Sequence, residues 1–142
     1  MMIELDHLAI VGVLTTYARA CDERRWDLLD EVFTEDVTWA MGDDTVSGRA
    51  SRIASMRANL DGCGPTQHLL GNFDIEIDGN DATCACYVRA FHMGAGARSG
   101  LTWELFGNYR DRLRRTPDGW RIHRRQMDVR FELGTREVLQ PH

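Results

Sequence analysis

Tyr17, Asp22, His68, His92 and Arg125 are the residues whose types and placement could carry acid–base chemistry. A histidine with a pKa near its ordinary value of about 6.5 can remove a proton at neutral pH. A buried carboxylate on the far ring nitrogen would fix its tautomer and stabilise the imidazolium that forms. A tyrosine or a second histidine could donate a proton, and an arginine could stabilise developing negative charge. Each residue also has a simpler reading. Asp22 could be the N-cap of a following helix, and Tyr17 ordinary core packing. His68 and His92 could be satisfied strand histidines. Arg125, within Arg121-Ile-His-Arg-Arg125, could belong to an exposed basic face.

What decides between these readings is where the elements aim the side chains. Ile10, Val13, Leu14, Tyr17, Ala18 and Cys21 recur at helical spacing, which predicts an amphipathic helix from Leu5 to about Cys21. A corner there would swing Asp22 back to the side of Tyr17. A second short helix, Glu23 to Phe33, would follow and break at Thr34-Glu-Asp36. Val37 to Met41 reads as a short strand, Gly42 to Thr45 as a turn, and Val46 to Gly48 as a return. Arg49 to Leu60 reads as a third helix with Ile53, Met56 and Leu60 on one face. Four long β-like runs come next: Thr66 to Ile77, Ala82 to Met93, Leu101 to Arg115 and Trp120 to Leu133. Asp78-Gly-Asn-Asp81 and Thr116-Pro-Asp-Gly119 mark hairpins. The glycine-rich loop from Gly94 to Gly100 matches no phosphate-binding motif and reads as a rim.

Helices followed by an antiparallel meander predict an α+β fold, in which a strongly curved sheet covered by N-terminal helices forms a cone around a pocket. Strand alternation puts Leu70 and Asn72 on the face of His68. It puts Cys84, Cys86, Val88 and Ala90 with His92. On the last strand, His123 and Met127 share the face of Arg125, and Trp120, Ile122 and Arg124 share the other. The five polar residues are then free to converge, whereas His7 and His142 read as solvent groups.

Composition narrows the function. At 142 residues the chain reads as one domain, 1–142, large enough to bury a core and leave a pocket. A net charge of −5 argues against nucleic acid as partner. No apolar run reaches the ~20 residues of a membrane span, and no basic flank or apolar core marks the N-terminus for export. The expectation is therefore a cytoplasmic protein with no membrane partner. All 17 basic residues are Arg, which excludes Schiff-base chemistry through lysine. Cys21, Cys63, Cys84 and Cys86 read as free thiols, the last two as small buried apolar groups. No metal-binding spacing is present.

Tyr17-x4-Asp22, then Trp26-Asp-x2-Asp-x-Val-Phe33-x-Glu-Asp-Val37-x-Trp39 and Gly48, resembles the SnoaL-like family of the nuclear transport factor 2-like superfamily. Thr66-Gln-His68-x3-Asn72 and Pro117-Asp-Gly-Trp120-Arg-Ile122-x2-Arg125 extend the resemblance over almost the whole chain. The pattern is most similar to the branch with hexachlorocyclohexane dehydrochlorinase, scytalone dehydratase and bile acid 7α-dehydratase. The resemblance implies that Asp22 and His68 form a catalytic pair, that Tyr17 and Arg125 join them, and that His92 stands near a second catalytic histidine. An acidic residue that the bile acid enzyme uses has no clear match. The implied activity is a lyase or isomerase that needs neither metal nor organic cofactor and acts on a small, largely apolar ring compound. A polyketide cyclase using the same base and a non-catalytic ligand-binding or accessory subunit are the alternatives. If His92 faces in, Tyr87, Arg89 and Phe91 face out, and two exposed aromatics there point to a homo-oligomer, dimer or trimer.

Overall fold

The computed structural model describes residues 2–139, so His142 lies outside the described residues. Helix α1 runs Met2–Asp22 and buries Ile10, Val13, Leu14, Tyr17, Ala18 and Cys21, the stripe that the spacing predicts. It extends one residue further than expected and takes Asp22 with it. The helix then closes by donating Arg25 N–H to Ala20 O (2.9 Å) and Arg24 N–H to Cys21 O (3.3 Å). This is the Schellman arrangement, which needs a left-handed residue between helix and exit, and Arg24 fills that place at φ 55°.

The expected second helix is only a 3-10 turn, Trp26–Glu31, whose N-cap is Arg25. Asp22 therefore caps nothing, because it still belongs to α1. Strand β1, Phe33–Met41, begins four residues earlier than Val37, since its first residues already pair with the last strand. After β2, Asp44–Ser47, the chain turns through Gly48 into helix α2, Arg49–Leu60. Gly48 has φ 92°, which a side chain would strain. The predicted span of α2 holds.

The meander follows as β3 Thr66–Asp78, β4 Asp81–Met93, β5 Thr102–Thr116 and β6 Gly119–Gly134. Short 3-10 turns lie at Gly96–Arg98 and Arg136–Leu139. The strands form one curved, unclosed six-stranded sheet in the order β2-β1-β6-β5-β4-β3. Neighbours are antiparallel except β1, which lies parallel to β6, so the sheet is mixed where the sequence predicts an antiparallel one. α1 crosses β3 and the start of β6, and α2 lies against β1.

Three bulges reset the alternation, one in β3 and two in β6, where the pairing also slips between Phe106 and Gly107 and leaves Arg130 unpaired between Val129 and Phe131. In β3 an extra residue lies between Gly71 and Asp74, with Asn72 at φ 55°. Asn72 is turned out, and Phe73, Ile75 and Ile77 take the inner face. In β6 the pairing slips between Arg112 and Leu113, which leaves His123 unpaired between Ile122 and Arg124. Trp120 and Ile122 therefore point inward together with Arg125 and Met127, and His123 does not. Each bulge adds one residue and so exchanges the faces beyond it.

Candidate active site

Asp22 reaches from the last turn of α1 to the start of β3. Its carboxylate accepts from Thr66 Oγ1 (3.0 Å), from the backbone N–H of His68 (2.8 Å), and from His68 Nδ1 (2.7 Å). Burial raises the pKa of Asp22, but the bonds from the His68 ring and backbone and from Thr66 outweigh it, and the group titrates below its usual range. An ionised carboxylate only accepts, so Nδ1 of His68 carries the proton and Nε2 is the ring's free nitrogen. Arg24 holds this corner. Its guanidinium donates to Leu60 O (2.9 Å), Cys21 O (2.7 Å), Gly64 O (2.7 Å) and Thr66 Oγ1 (2.8 Å), joining α1, α2 and β3.

His68 forms part of the wall of a cavity of about 400 Å³ between α1, α2 and the inner face of the sheet. His92 lines the same cavity, with its ring centroid 5.7 Å from that of His68. Nδ1 of His92 donates to the carbonyl of Trp103 (3.2 Å), which leaves Nε2 an acceptor. Burial, reinforced by His68, pushes its pKa down to about 4. His92 is thus a neutral acceptor at pH 7, unable to protonate a leaving group from Nε2.

Tyr17 also lines the cavity, and its hydroxyl lies 3.4 Å from that of Tyr109. Burial raises both phenols, Tyr109 to about 12 and Tyr17 well above its ordinary value. Both are therefore neutral O–H groups. Arg125 lies behind them and does not line the cavity. Its Cζ is 3.8 Å from the ring centroid of Tyr109 and 4.3 Å from that of Tyr17. Asp111 binds it twice, at 2.7 and 2.9 Å, and both side chains are fully buried. Burial alone would weaken its hold on the proton, but Asp111 more than reverses this and keeps the guanidinium charged.

Of the expected residues, Tyr17, His68 and His92 meet in the cavity, Asp22 stands behind His68, and Arg125 stands one layer below the tyrosines. Sequence reasoning missed Arg52, Tyr109 and Asp111. The last two lie on the inner face of β5 in step with Trp103 and Leu105, a parity that the strand pattern already contained. Arg52 precedes Met56 by four residues and so shares its helix face. Cys21, Cys84 and Cys86 are buried thiols pushed up to about 12, 12 and 11 by that burial, as expected of apolar cysteines. Among the described residues no three of His, Cys, Asp or Glu are grouped to hold a metal ion, and no helix is long and apolar enough to cross a membrane.

Residues 4–126 match the SnoaL-like domain. The chain belongs to this family, within the nuclear transport factor 2-like superfamily. Among relatives by sequence, the uncharacterized protein Rv2910c of Mycobacterium tuberculosis is 38% identical over 126 residues, which cover 84% of this chain and 82% of that one. The structure of Kfla4162 from Kribbella flavida superposes with a TM-score of 0.86 at 24% identity, covering 96% of this chain and 98% of the other. A type 2 hexachlorocyclohexane dehydrochlorinase superposes with a TM-score of 0.80 at 16% identity, covering 93% of each chain. At these identities the two structures speak to the fold alone.

Proposed function

We propose that this SnoaL-like protein is a cofactor-independent lyase or isomerase that removes a carbon-bound proton from a small ring compound, with His68 as the base. The observation that carries the reading is the bond from His68 Nδ1 to Asp22 at 2.7 Å, which fixes Nε2 as the basic nitrogen of a residue in the cavity wall. The dehydrochlorinase that shares the fold supports it by the reaction its name states.

The elimination balances within this chain. Nε2 takes the proton from carbon, and the C–H electron pair becomes the new double bond. The leaving group departs from the neighbouring carbon with its own bonding pair, as water if it first gains a proton or as halide if it does not. Asp22 stabilises the imidazolium that forms. The hydroxyls of Tyr17 and Tyr109 are the donors for a departing oxygen or for a carbonyl, and Arg125 beneath them offsets charge that builds on their oxygens. His92 accepts a bond from a substrate hydroxyl and orients it. In an isomerisation the proton on His68 returns to a different carbon.

The test is a screen of hydroxylated and halogenated ring compounds against the purified protein. New conjugated absorbance, halide release and uptake of solvent deuterium at carbon are the readouts. Turnover that depends on His68 supports the reading. Compounds that bind but neither eliminate nor exchange their carbon-bound protons would make the protein a binding module.

A further inference from the structure

Arg52 lines the cavity and has no part in the proton chemistry. It lies in the first turns of α2, where its N–H bonds Gly48 O (3.0 Å), and its side chain enters the cavity. Its Cζ stands 3.6 Å from the ring centroid of Trp39, so the indole covers one face of the guanidinium. Nε is buried and has no hydrogen-bond partner. No carboxylate among the described residues pairs with it. The other cations are paired: Asp111 holds Arg125, Glu132 holds Arg136, which also lines the cavity, and Asp30 holds Arg49. The carboxylates beside the cavity are taken as well, Asp22 by His68 and Thr66, and Asp111 by Arg125.

A guanidinium partly drawn out of water with a buried N–H unmade is costly. A ring face attracts the charge but accepts none of the in-plane N–H bonds. Trp39 therefore fixes the plane of the group and leaves its edge unsatisfied. Burial also weakens its hold on the proton, which a bound anion would reverse. The rest of the cavity is largely apolar, with Met56, Leu60, Leu105 and Met127 available to a ring.

We propose that Arg52 binds an oxyanion carried on the substrate ring, so that the cavity takes anionic ring compounds, carboxylates or acidic phenols, in preference to neutral ones. This rests on the reading of the cavity as a substrate site and names the class of substrate. The planar fork of Arg52 fits a carboxylate through two bonds and a phenolate through one. Anchored there, a ring is held in the cavity that His68 lines.

Calorimetric titration of the purified protein tests it with 1-naphthoate, its neutral isostere 1-naphthamide, and the phenolate of 4-nitrophenol beside nitrobenzene. The wild type is expected to prefer the anion of each pair by about ten- to a hundredfold, the worth of a charged hydrogen-bonded contact. A preference in only one pair tells which oxyanion the site is built for. Arg52→Met is expected to bring the ratio to about one, Arg52→Lys to keep part of it, and Arg49→Gln, outside the cavity, to leave it unchanged. Arg52→Lys also serves if Arg52→Met does not fold. Equal affinity within both pairs, no binding of any probe, or a preference that survives in Arg52→Met overturns the assignment. Calorimetry reads binding without turnover, so His68→Ala should keep the preference, and failure here is separable from failure of the proton chemistry.

Discussion

Removing the imidazole of His68 takes away the base, so His68→Ala is expected to lower turnover by about two to four orders of magnitude. Asp22→Asn is expected to lose a large part of the same factor, because an amide can hold the wrong tautomer and cannot stabilise the imidazolium. The two losses should be far from additive, since the residues act as one unit. Kinetics of the single and double variants on a substrate from the screen, with circular dichroism as the folding control, decide it; full turnover in folded His68→Ala would dismiss the pair. His92 makes a separate prediction about stability. Its folded pKa, about 4, lies below the unfolded value of about 6.5, so in that interval the unfolded chain binds a proton that the native protein does not. Its contribution is complete above about pH 6.5 and is lost as the pH falls to about 4, on the order of 3 kcal/mol in all. The depressed pKa of Asp22 removes further stability at lower pH still. Urea midpoints between pH 7 and pH 4 should therefore fall less steeply in His92→Asn than in the wild type, and equal slopes would refute the assignment. At this scale the sequence was readable where a residue's type announces its chemistry, as at Asp22 and His68. It was less readable where meaning depends on what is left unpaired. Arg52 looks like any helix arginine until the carboxylates around it are seen to be taken.

Asp22 can meet His68 only because the corner after α1 is pinned to β3, and Arg24 does the pinning. A left-handed backbone costs a residue with a side chain about 1 kcal/mol relative to glycine. Arg24 adopts that conformation because its four side-chain bonds to Leu60, Cys21, Gly64 and Thr66 more than offset the strain. This gives an order of stabilities and not only a direction. Arg24→Gly loses the bonds but sheds the strain, a net loss of about 2 kcal/mol or more. Arg24→Ala loses the bonds and keeps the strain, so it should be less stable than Arg24→Gly by about 1 kcal/mol. Urea unfolding of the three proteins measures it, and an alanine variant at least as stable as the glycine one would contradict the account. The lengths of α2 and of the four long strands were legible, because apolar period and turn residues bound them. The bulges were legible only in part. Apolar positions change phase from Leu70 to Phe73, Ile75 and Ile77 and from Trp120 and Ile122 to Met127 and Val129, but where each slip falls, at Asn72, His123 and Arg130, emerges only from pairing with the neighbouring strand. The parallel seat of β1 beside β6 is likewise a tertiary choice that local pattern does not encode.

One side of the whole molecule is left with apolar surface. On the outer face of the sheet Leu69, Tyr87, Phe131 and Leu133 are each 56–57% exposed, and Phe91 is 38% exposed. They come from β3, β4 and β6, and Phe106 of β5 bridges them by stacking on Phe131 at a centroid distance of 4.4 Å. An apolar band across four adjacent strands is an unusual thing to leave in water. Matched ion pairs lie within and beside it, Arg89 with Glu104 between the apolar groups and Arg110 with Asp128 beyond them, so one such face presents both signs to another. A second copy of this chain fits those features, since a self-complementary patch is what a closed symmetric assembly requires. We therefore expect a homo-oligomer held through the outer face of β3 to β6, with the cavity on the inner face left open to substrate. Light scattering at micromolar concentration should give a mass of at least two chains. Phe131→Arg, which puts a like charge into every copy of the contact, should reduce the mass to that of one chain while the circular dichroism spectrum is kept. A wild-type protein that scatters as a monomer, or a folded Phe131→Arg variant that stays assembled, would rule out this face as the contact.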